Sequence, residues 1–255
     1  GWLVDHAPRT FDDFAAPPRI IDRGTAMSLL PQPPHLLITG PPGCGKTALW
    51  RLYARQVLGP SWPSTVHVRN IRDMKRKRGA MDSFETFLRP EGKESSDTLA
   101  GRMSLAAFST NREYDSERDP PPAGRETVSN TAQPLSRLIV LEDADHMSMR
   151  WQAYLRRMLE TVGPASRFIF TARAPSAIID ALRSRTQMIR LPACDNKTLK
   201  RTLEVIIDAE GIILEDGIID DILYVSQGNI RRAIFMLELL WAHNKLSDRS
   251  AIHDL

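Results

Sequence analysis

The sequence predicts an α/β fold: a five-stranded parallel sheet wrapped by helices, followed by a small all-α unit. Three observations predict it. An apolar run, Leu36-Leu37-Ile38-Thr39, leads into Gly40-Pro41-Pro42-Gly43-Cys44-Gly45-Lys46-Thr47 and then into a segment that places Leu49, Leu52, Tyr53 and Val57 on one helical face. Four more short apolar stretches follow, over 65–69, 137–141, 167–172 and 188–191, with helical patterns between them. Beyond Pro192 the period is helical throughout. The expected division is a nucleotide-binding core over 1–192, with an arm at 1–34 and a disordered insertion at 92–134, then a helical unit over 193–255.

The first strand and its loop carry the chemistry. Strand, Gly-x-x-x-x-Gly-Lys-Thr and helix is the context of a phosphate-binding loop. Glycines let backbone N–H groups converge on phosphate oxygens, and the helix N-terminus adds partial positive charge. Lys46 is placed against the β- and γ-phosphates of a nucleotide, and the Thr47 hydroxyl beside a Mg²⁺ ion. A Gly-Pro-rich turn that merely precedes a helix is the bland alternative, and the complete pattern with both flanks speaks against it.

The remaining elements follow in order. Residues 2–14 read as an extended, Pro-interrupted arm, either lying on something or a disordered terminus. A Pro-rich connector at 29–34 delivers the chain into the first strand. Gly59-Pro60 stops the loop's helix, and Thr65-Val66-His67-Val68-Arg69 alternates as a second strand, with His67 a half-buried strand residue rather than a metal ligand. Lys75, Arg76, Lys77 and Arg78 are four consecutive cations, read either as a solvated loop or as a contact to a nucleic-acid backbone. From Gly92 to Pro134 the composition turns to Ser, Asp, Glu, Arg and Pro, which suits a surface insertion, with a short helix over Leu99 to Phe108.

Arg137-Leu138-Ile139-Val140-Leu141 then reads as a buried parallel strand whose end delivers Glu142, Asp143 and Asp145 to a crevice. Carboxylates there, on a chain with a phosphate loop, suit a magnesium-organising group and a water-polarising group. A polar strand end in which Asp145 and Ser148 cap the next helix is a compatible reading. That helix, 149–162, places Trp151, Leu155, Met158, Leu159 and Val162 on one face. Strands over 167–172 and 188–191 flank a short helical stretch at 176–182. Three helices close the chain, with Arg231 and Arg232 in the first turn of the last, where the helix dipole disfavours cations and an anionic partner is implied.

The whole-chain figures narrow the function classes. At 255 residues, with 42% hydrophobic and 25% charged, the chain can build one large domain or two smaller ones. Thirty-four Lys and Arg against thirty-one Asp and Glu leave a formal charge of +3, which permits a nucleic-acid partner without demanding one. Two cysteines, Cys44 and Cys194, make no disulfide framework and point to a reducing compartment. No run approaches a membrane span and no signal peptide opens the chain. It begins with Gly1 rather than Met, which reads as a piece or a processed form of a longer protein.

Taken together, these pieces resemble an AAA+ ATPase, and more narrowly a small subunit of the sliding-clamp loader, the replication factor C family. The likeness covers nearly the whole chain outside 92–134. Trp2 to Phe14 is similar to the family's Trp-Val-Glu-Lys-Tyr-Arg-Pro-Lys-Thr-Leu-Asp-Asp-Leu opening, which packs along adenine, so Leu3 and Pro8 join Gly40, Pro41, Pro42, Gly43, Cys44, Gly45, Lys46 and Thr47 as implied nucleotide contacts. Asn70 to Asp73 stands where the family has Asn-Ala-Ser-Asp. The stretch from Thr171 to Thr186 resembles sensor 1 through Ser-Arg-Cys, which makes Arg185 the arginine finger acting on a neighbour's ATP. Gly228-Asn229-Ile230-Arg231-Arg232-Ala233 resembles Gly-Asp-Met-Arg-Arg-Ala, which makes Arg231 the sensor 2 arginine of this chain's own site. The family's collar domain begins about where this segment stops.

The resemblance implies ATP and Mg²⁺ as cofactors, with Thr47 and Glu142 serving the metal, the latter through water. It implies other clamp-loader subunits, a ring-shaped clamp and the backbone of primer-template DNA as partners, in replication or repair. It implies a nuclear location in a eukaryote and a cytoplasmic one otherwise. Two departures stand out. The Asp-Glu-Ala-Asp box is Glu142-Asp143-Ala144-Asp145, with the first two acids exchanged, and the sensor 1 Asn is Arg173. A catalytic base one methylene short can cost about a hundredfold in rate. A hydrolysing subunit with Lys46, Glu142, Asp143, Arg173, Arg185 and Arg231 as its machinery therefore competes with a nucleotide-binding scaffold. A chiefly DNA-binding module working through 75–78 is the third reading.

Overall fold

The computed structural model describes residues 1–88, 120–128, 134–163 and 165–254. Strands β1 (Leu36–Thr39), β2 (Val66–Asn70), β3 (Arg137–Glu142), β4 (Ser166–Ala172) and β5 (Gln187–Arg190) form one parallel sheet in the order β2-β3-β4-β1-β5. The inner strands β3, β4 and β1 are nearly continuous apolar runs because helices cover both faces, whereas β5 at the edge leaves Gln187 and Arg190 exposed.

Side chains alternate between the two layers. Leu36 and Ile38 join Leu49, Trp50 and Tyr53 of α3 (Lys46–Leu58) on one face, where α2 (Pro18–Ser28) also packs. Leu37, Ile139 and Phe168 face the other layer, built from α6 (Ala80–Leu88) and α7 (Met149–Thr161), whose Phe84 and Trp151 rings stack 4.7 Å apart. The smaller helices α4 (Trp62–Thr65), α5 (Ile71–Met74) and α8 (Asp180–Arg183) bridge strands and layers.

The C-terminal region is α9 (Asn196–Glu210), α10 (Ile218–Ser226) and α11 (Ile230–Ala242) around Leu199, Leu203, Ile222, Leu237 and Leu240. Its caps follow from the sequence. Asp195 accepts from the Thr198 N–H at 2.8 Å, Asn229 from the Arg232 N–H at 3.0 Å, and Gly211 takes the left-handed conformation that ends α9.

The opening arm corrects the expectation of an extended segment. Trp2–Asp5 is a helical turn, α1, with Trp2 buried among the C-terminal helices, 5.2 Å from the Trp241 ring. The Trp2 N–H meets Glu238 at 3.2 Å and His6 meets Glu210 at 2.7 Å. Further on, Phe11 and Phe14 are buried in the sheet-side core, so the arm fastens the helical region to the sheet. A turn this short has no stability of its own; docking supplies it, and that docking is invisible to local periodicity.

Two further differences concern the loops. Residues 120–128, expected to be weakly ordered, are seated on the sheet layer. Gln56, buried on α3, donates to Arg125 O at 2.8 Å and accepts from the Ala123 N–H at 2.8 Å, while Thr127 reaches Ser28 O at 2.9 Å. The helix expected over Leu99 to Phe108 lies outside the described residues. Asp145 does not cap α7; Ser148 does, accepting from the Trp151 N–H at 3.3 Å, and one Asp145 oxygen is buried without a hydrogen bond.

Candidate functional site

Parallel pairing brings the C-terminal ends of the strands into one row. Thr39 is paired with Ala172, so the loop after β1 emerges beside Arg173, and Asn70 is paired with Glu142. This is the carboxyl edge of the sheet, where ligands bind in open α/β folds.

Gly40 to Thr47 wraps back over that edge. Gly45 caps α3 in the left-handed conformation, and Gly43 has φ +72. A Cβ on Gly43 would lie 1.8 Å from the Asn229 Oδ1, so any side chain there collides with the Asn229 amide. Lys46 Nζ donates to Gly40 O at 2.7 Å and Pro41 O at 2.9 Å, which holds the ammonium inside the curve of the loop. Cys44 is buried beneath it. Burial pushes its thiol up, and the positive charges of Lys46 and Arg231 pull it only part of the way back.

Two side chains, one at the end of the loop and one on α3, meet the end of β3. Thr47 Oγ1 donates to Glu142 Oε1 at 3.0 Å, and Trp50 Nε1 donates to the same oxygen at 3.0 Å. A hydroxyl and a carboxylate in contact are hard oxygen donors of the kind Mg²⁺ takes when it is shared with substrate phosphates. Among the described residues no group of three or more His, Cys, Asp and Glu is placed to hold a metal ion.

Asp143 follows Glu142 in a left-handed conformation, φ 53. Its carboxylate accepts from the Asn70 amide at 2.9 Å, and its N–H reaches Thr171 Oγ1 at 3.3 Å. Asn70 thereby orients the carboxylate while Thr171 holds the backbone of the same residue, roles that no local pattern announced. Arg173 is exposed at the same edge.

The C-terminal region reaches the loop directly. The Ile230 N–H, one of the donors that a helix start leaves without an internal partner, bonds to Gly43 O at 3.0 Å. Arg231, exposed, is the next residue on α11. Between loop, arm and hinge lies a cavity of about 210 Å³ lined by residues 15–17, Cys44 and residues 191–195. Leu3 is exposed on α1 and Pro8 half-buried further along the arm, and neither lines this cavity. Ala15, Ala16 and Pro17 are the lining residues that sequence reasoning passed over; their only signal is the Ala-Ala-Pro step before α2.

Arg185 stands at the other edge of the sheet. It precedes β5, whose first residue is paired with Leu36 at the start of β1, so a strand length of roughly 13 Å separates it from the loop. Its guanidinium bonds Glu160 at 2.6 Å and Ala181 O at 2.7 Å, and it lines an open depression of about 430 Å³ with Arg167 and His35. Lys75, Arg76, Lys77 and Arg78 form an exposed turn after α5, away from the loop. No described helix is long and apolar enough to cross a membrane.

Residues 31–177 match the family model described as AAA domain. The chain is 28% identical to replication factor C small subunit 1 of Pyrobaculum islandicum over 98% of its length, and 28% identical to the replication factor C small subunit of Archaeoglobus fulgidus over 100%. It spans 65% and 68% of those two relatives. Among solved structures it is similar to the RuvB Holliday junction branch migration motor of Thermotoga maritima, with a TM-score of 0.58 and 17% identity over 97% of this chain and 70% of that one, a likeness of fold.

Proposed function

The chain belongs to the AAA domain family, and on that ground we propose that it is an ATP-binding subunit of a sliding-clamp loader, one that couples nucleotide binding and hydrolysis to placing a ring clamp on primer-template DNA. The observation that carries the reading is the Ile230 N–H to Gly43 O bond at 3.0 Å, which seats the helical region, with Arg231, on the phosphate loop. In this reading Lys46 and the loop amides bind the β- and γ-phosphates, and the cavity lined by residues 15–17, Cys44 and residues 191–195 receives the base. Thr47 and Glu142 hold Mg²⁺, the latter through water, and the metal supplies neutralisation of phosphate charge.

Asp143 orients the attacking water, and Arg231 contacts the γ-phosphate from the helical lid. Arg185, too far from its own loop, serves the site of a neighbouring subunit. Lys75, Arg76, Lys77 and Arg78 contact the DNA backbone. Residues 1–192 act as the core and 193–255 as the lid, with Trp2 holding the two together. The curated relatives, longer than this chain, supply the family likeness for the assembly; clamp, DNA and sister subunits are part of the proposal.

A second reading, a scaffold subunit that binds nucleotide without hydrolysing it, is favoured by Asp143. Its carboxylate is engaged by Asn70 at 2.9 Å, and Arg173 stands where the family has an amide. Single-turnover hydrolysis in the reconstituted complex separates the two. A hydrolysing subunit loses turnover in Asp143→Asn while keeping nucleotide affinity; a scaffold is unchanged by that substitution and responds only to Lys46→Ala, through binding.

A further inference from the structure

Glu142 replaces a shorter acid of the resembled motif, and the structure shows what meets its extra length. Trp50 is 1% exposed on the first turns of α3, and its indole N–H, which needs a partner once buried, donates to Glu142 Oε1 at 3.0 Å. Thr47, three residues earlier on the same face of that helix, donates to the same oxygen at 3.0 Å. Two donors occupy the two lone pairs of Oε1. Oε2 is left to accept elsewhere, with the carboxylate plane set by α3 rather than by its own strand.

We propose that Trp50 is a positioning residue for magnesium: its indole N–H draws the Glu142 carboxylate onto Thr47, so that a glutamate at the end of β3 serves the metal where a shorter acid would ordinarily do so. This rests on the reading of Gly40 to Thr47 as a nucleotide site. Its chemical content is specific. With the N–H removed, Thr47 alone restrains a longer, more mobile side chain, and the metal site loses its preorganisation while the phosphate-binding amides are untouched. Outer partners of a metal ligand commonly change metal affinity by roughly 10–100-fold.

The test titrates a fluorescent, non-hydrolysable ATP analogue into the chain at stepped Mg²⁺ concentrations and with magnesium chelated. Trp50→Phe keeps the aromatic bulk and deletes the donor. The expected result is a rise of about 10–100-fold in the Mg²⁺ concentration that half-maximally tightens binding, with magnesium-free affinity unchanged. In a Glu142→Asp background, where the acid is shorter by about 1.5 Å and no longer reaches the indole N–H, Trp50→Phe should add no further shift.

Unchanged magnesium dependence in Trp50→Phe, an equal loss with and without magnesium, or additive shifts in the double variant would each overturn the assignment. If Trp50→Phe does not fold, Trp50→Leu, likewise apolar and without a donor, is titrated in its place, and an unshifted magnesium dependence there overturns it. A wild-type chain that binds no analogue under either condition overturns the reading of the loop, and this inference with it.

Discussion

Gly43→Ala perturbs the junction on which the nucleotide reading depends. The new Cβ would lie 1.8 Å from Asn229 Oδ1, with every close contact coming from the Asn229 side chain. Relieving that overlap moves the start of α11 away by about 1.5 Å or more, since carbon and oxygen need well over 3 Å. The Ile230 N–H to Gly43 O bond then breaks, at about 0.5–1.5 kcal/mol, and the left-handed backbone at φ +72 adds about 1–2 kcal/mol. The backbone term weighs on free and bound states alike, so it appears in stability. The displaced lid carries Arg231 with it, and losing one charged hydrogen bond to a phosphate lowers affinity by about 1.5–3 kcal/mol, roughly tenfold to a hundredfold. Calorimetric titration with a non-hydrolysable triphosphate reads that loss. Asn229→Ala removes all three overlapping atoms, so in its background Gly43→Ala should recover most of the affinity although the cap is gone. An equal loss in both backgrounds would place the damage within the loop itself and refute the lid argument.

Three other perturbations follow from the same geometry. Arg185→Ala should lower ATP turnover of the reconstituted complex by roughly 10³–10⁵ while leaving this chain's own nucleotide affinity nearly intact, because Arg185 stands at the far edge of the sheet; equal loss of both would defeat the assignment. Replacing Lys75, Arg76, Lys77 and Arg78 together with Ala should flatten the log-log salt dependence of DNA binding by about 3–4, and an unchanged slope would dismiss the patch. Burial, with Arg167 nearby, lowers the pKa of His35 to about 4, and its Nδ1 accepts from the Phe168 N–H at 2.9 Å. The unfolded chain therefore binds the extra proton first, so stability should fall as pH drops from about 6.5 toward 4, by up to roughly 2–3 kcal/mol. Denaturant midpoints of wild type and His35→Gln across that range check it, and parallel pH profiles would contradict it.

Much of this was legible in the residues. The run from Leu36 to Thr47 specifies strand, loop and helix because each part has its own local signal: four apolar residues, glycines where the backbone must turn, and helical spacing after Lys46. The lid helices were legible for the same reason, their apolar residues keeping a helical period beyond Pro192. What stayed hidden was set by distant contacts. Trp2 reads as part of a loose arm until α11 is beside it, and the segment over 120–128 reads as loop until Gln56 meets it. Glu142 and Asp143 announced a carboxylate pair, but neither Trp50 nor Asn70 has a spacing that ties it to them, since the packing of α3 on the sheet brings the first and register between strands the second. The cavity beside Cys44 was missed because Ala15, Ala16 and Pro17 line it by shape and carry no functional group to notice.

The nucleotide site itself is tested most directly by calorimetric titration of magnesium and a non-hydrolysable ATP analogue into the wild-type chain and Lys46→Ala. Saturable one-to-one binding in the wild type, weakened about tenfold to a hundredfold when the ammonium at Gly40 and Pro41 is removed, is the expected result. Absence of heat in the wild type, or equal affinity in the two proteins, would contradict it.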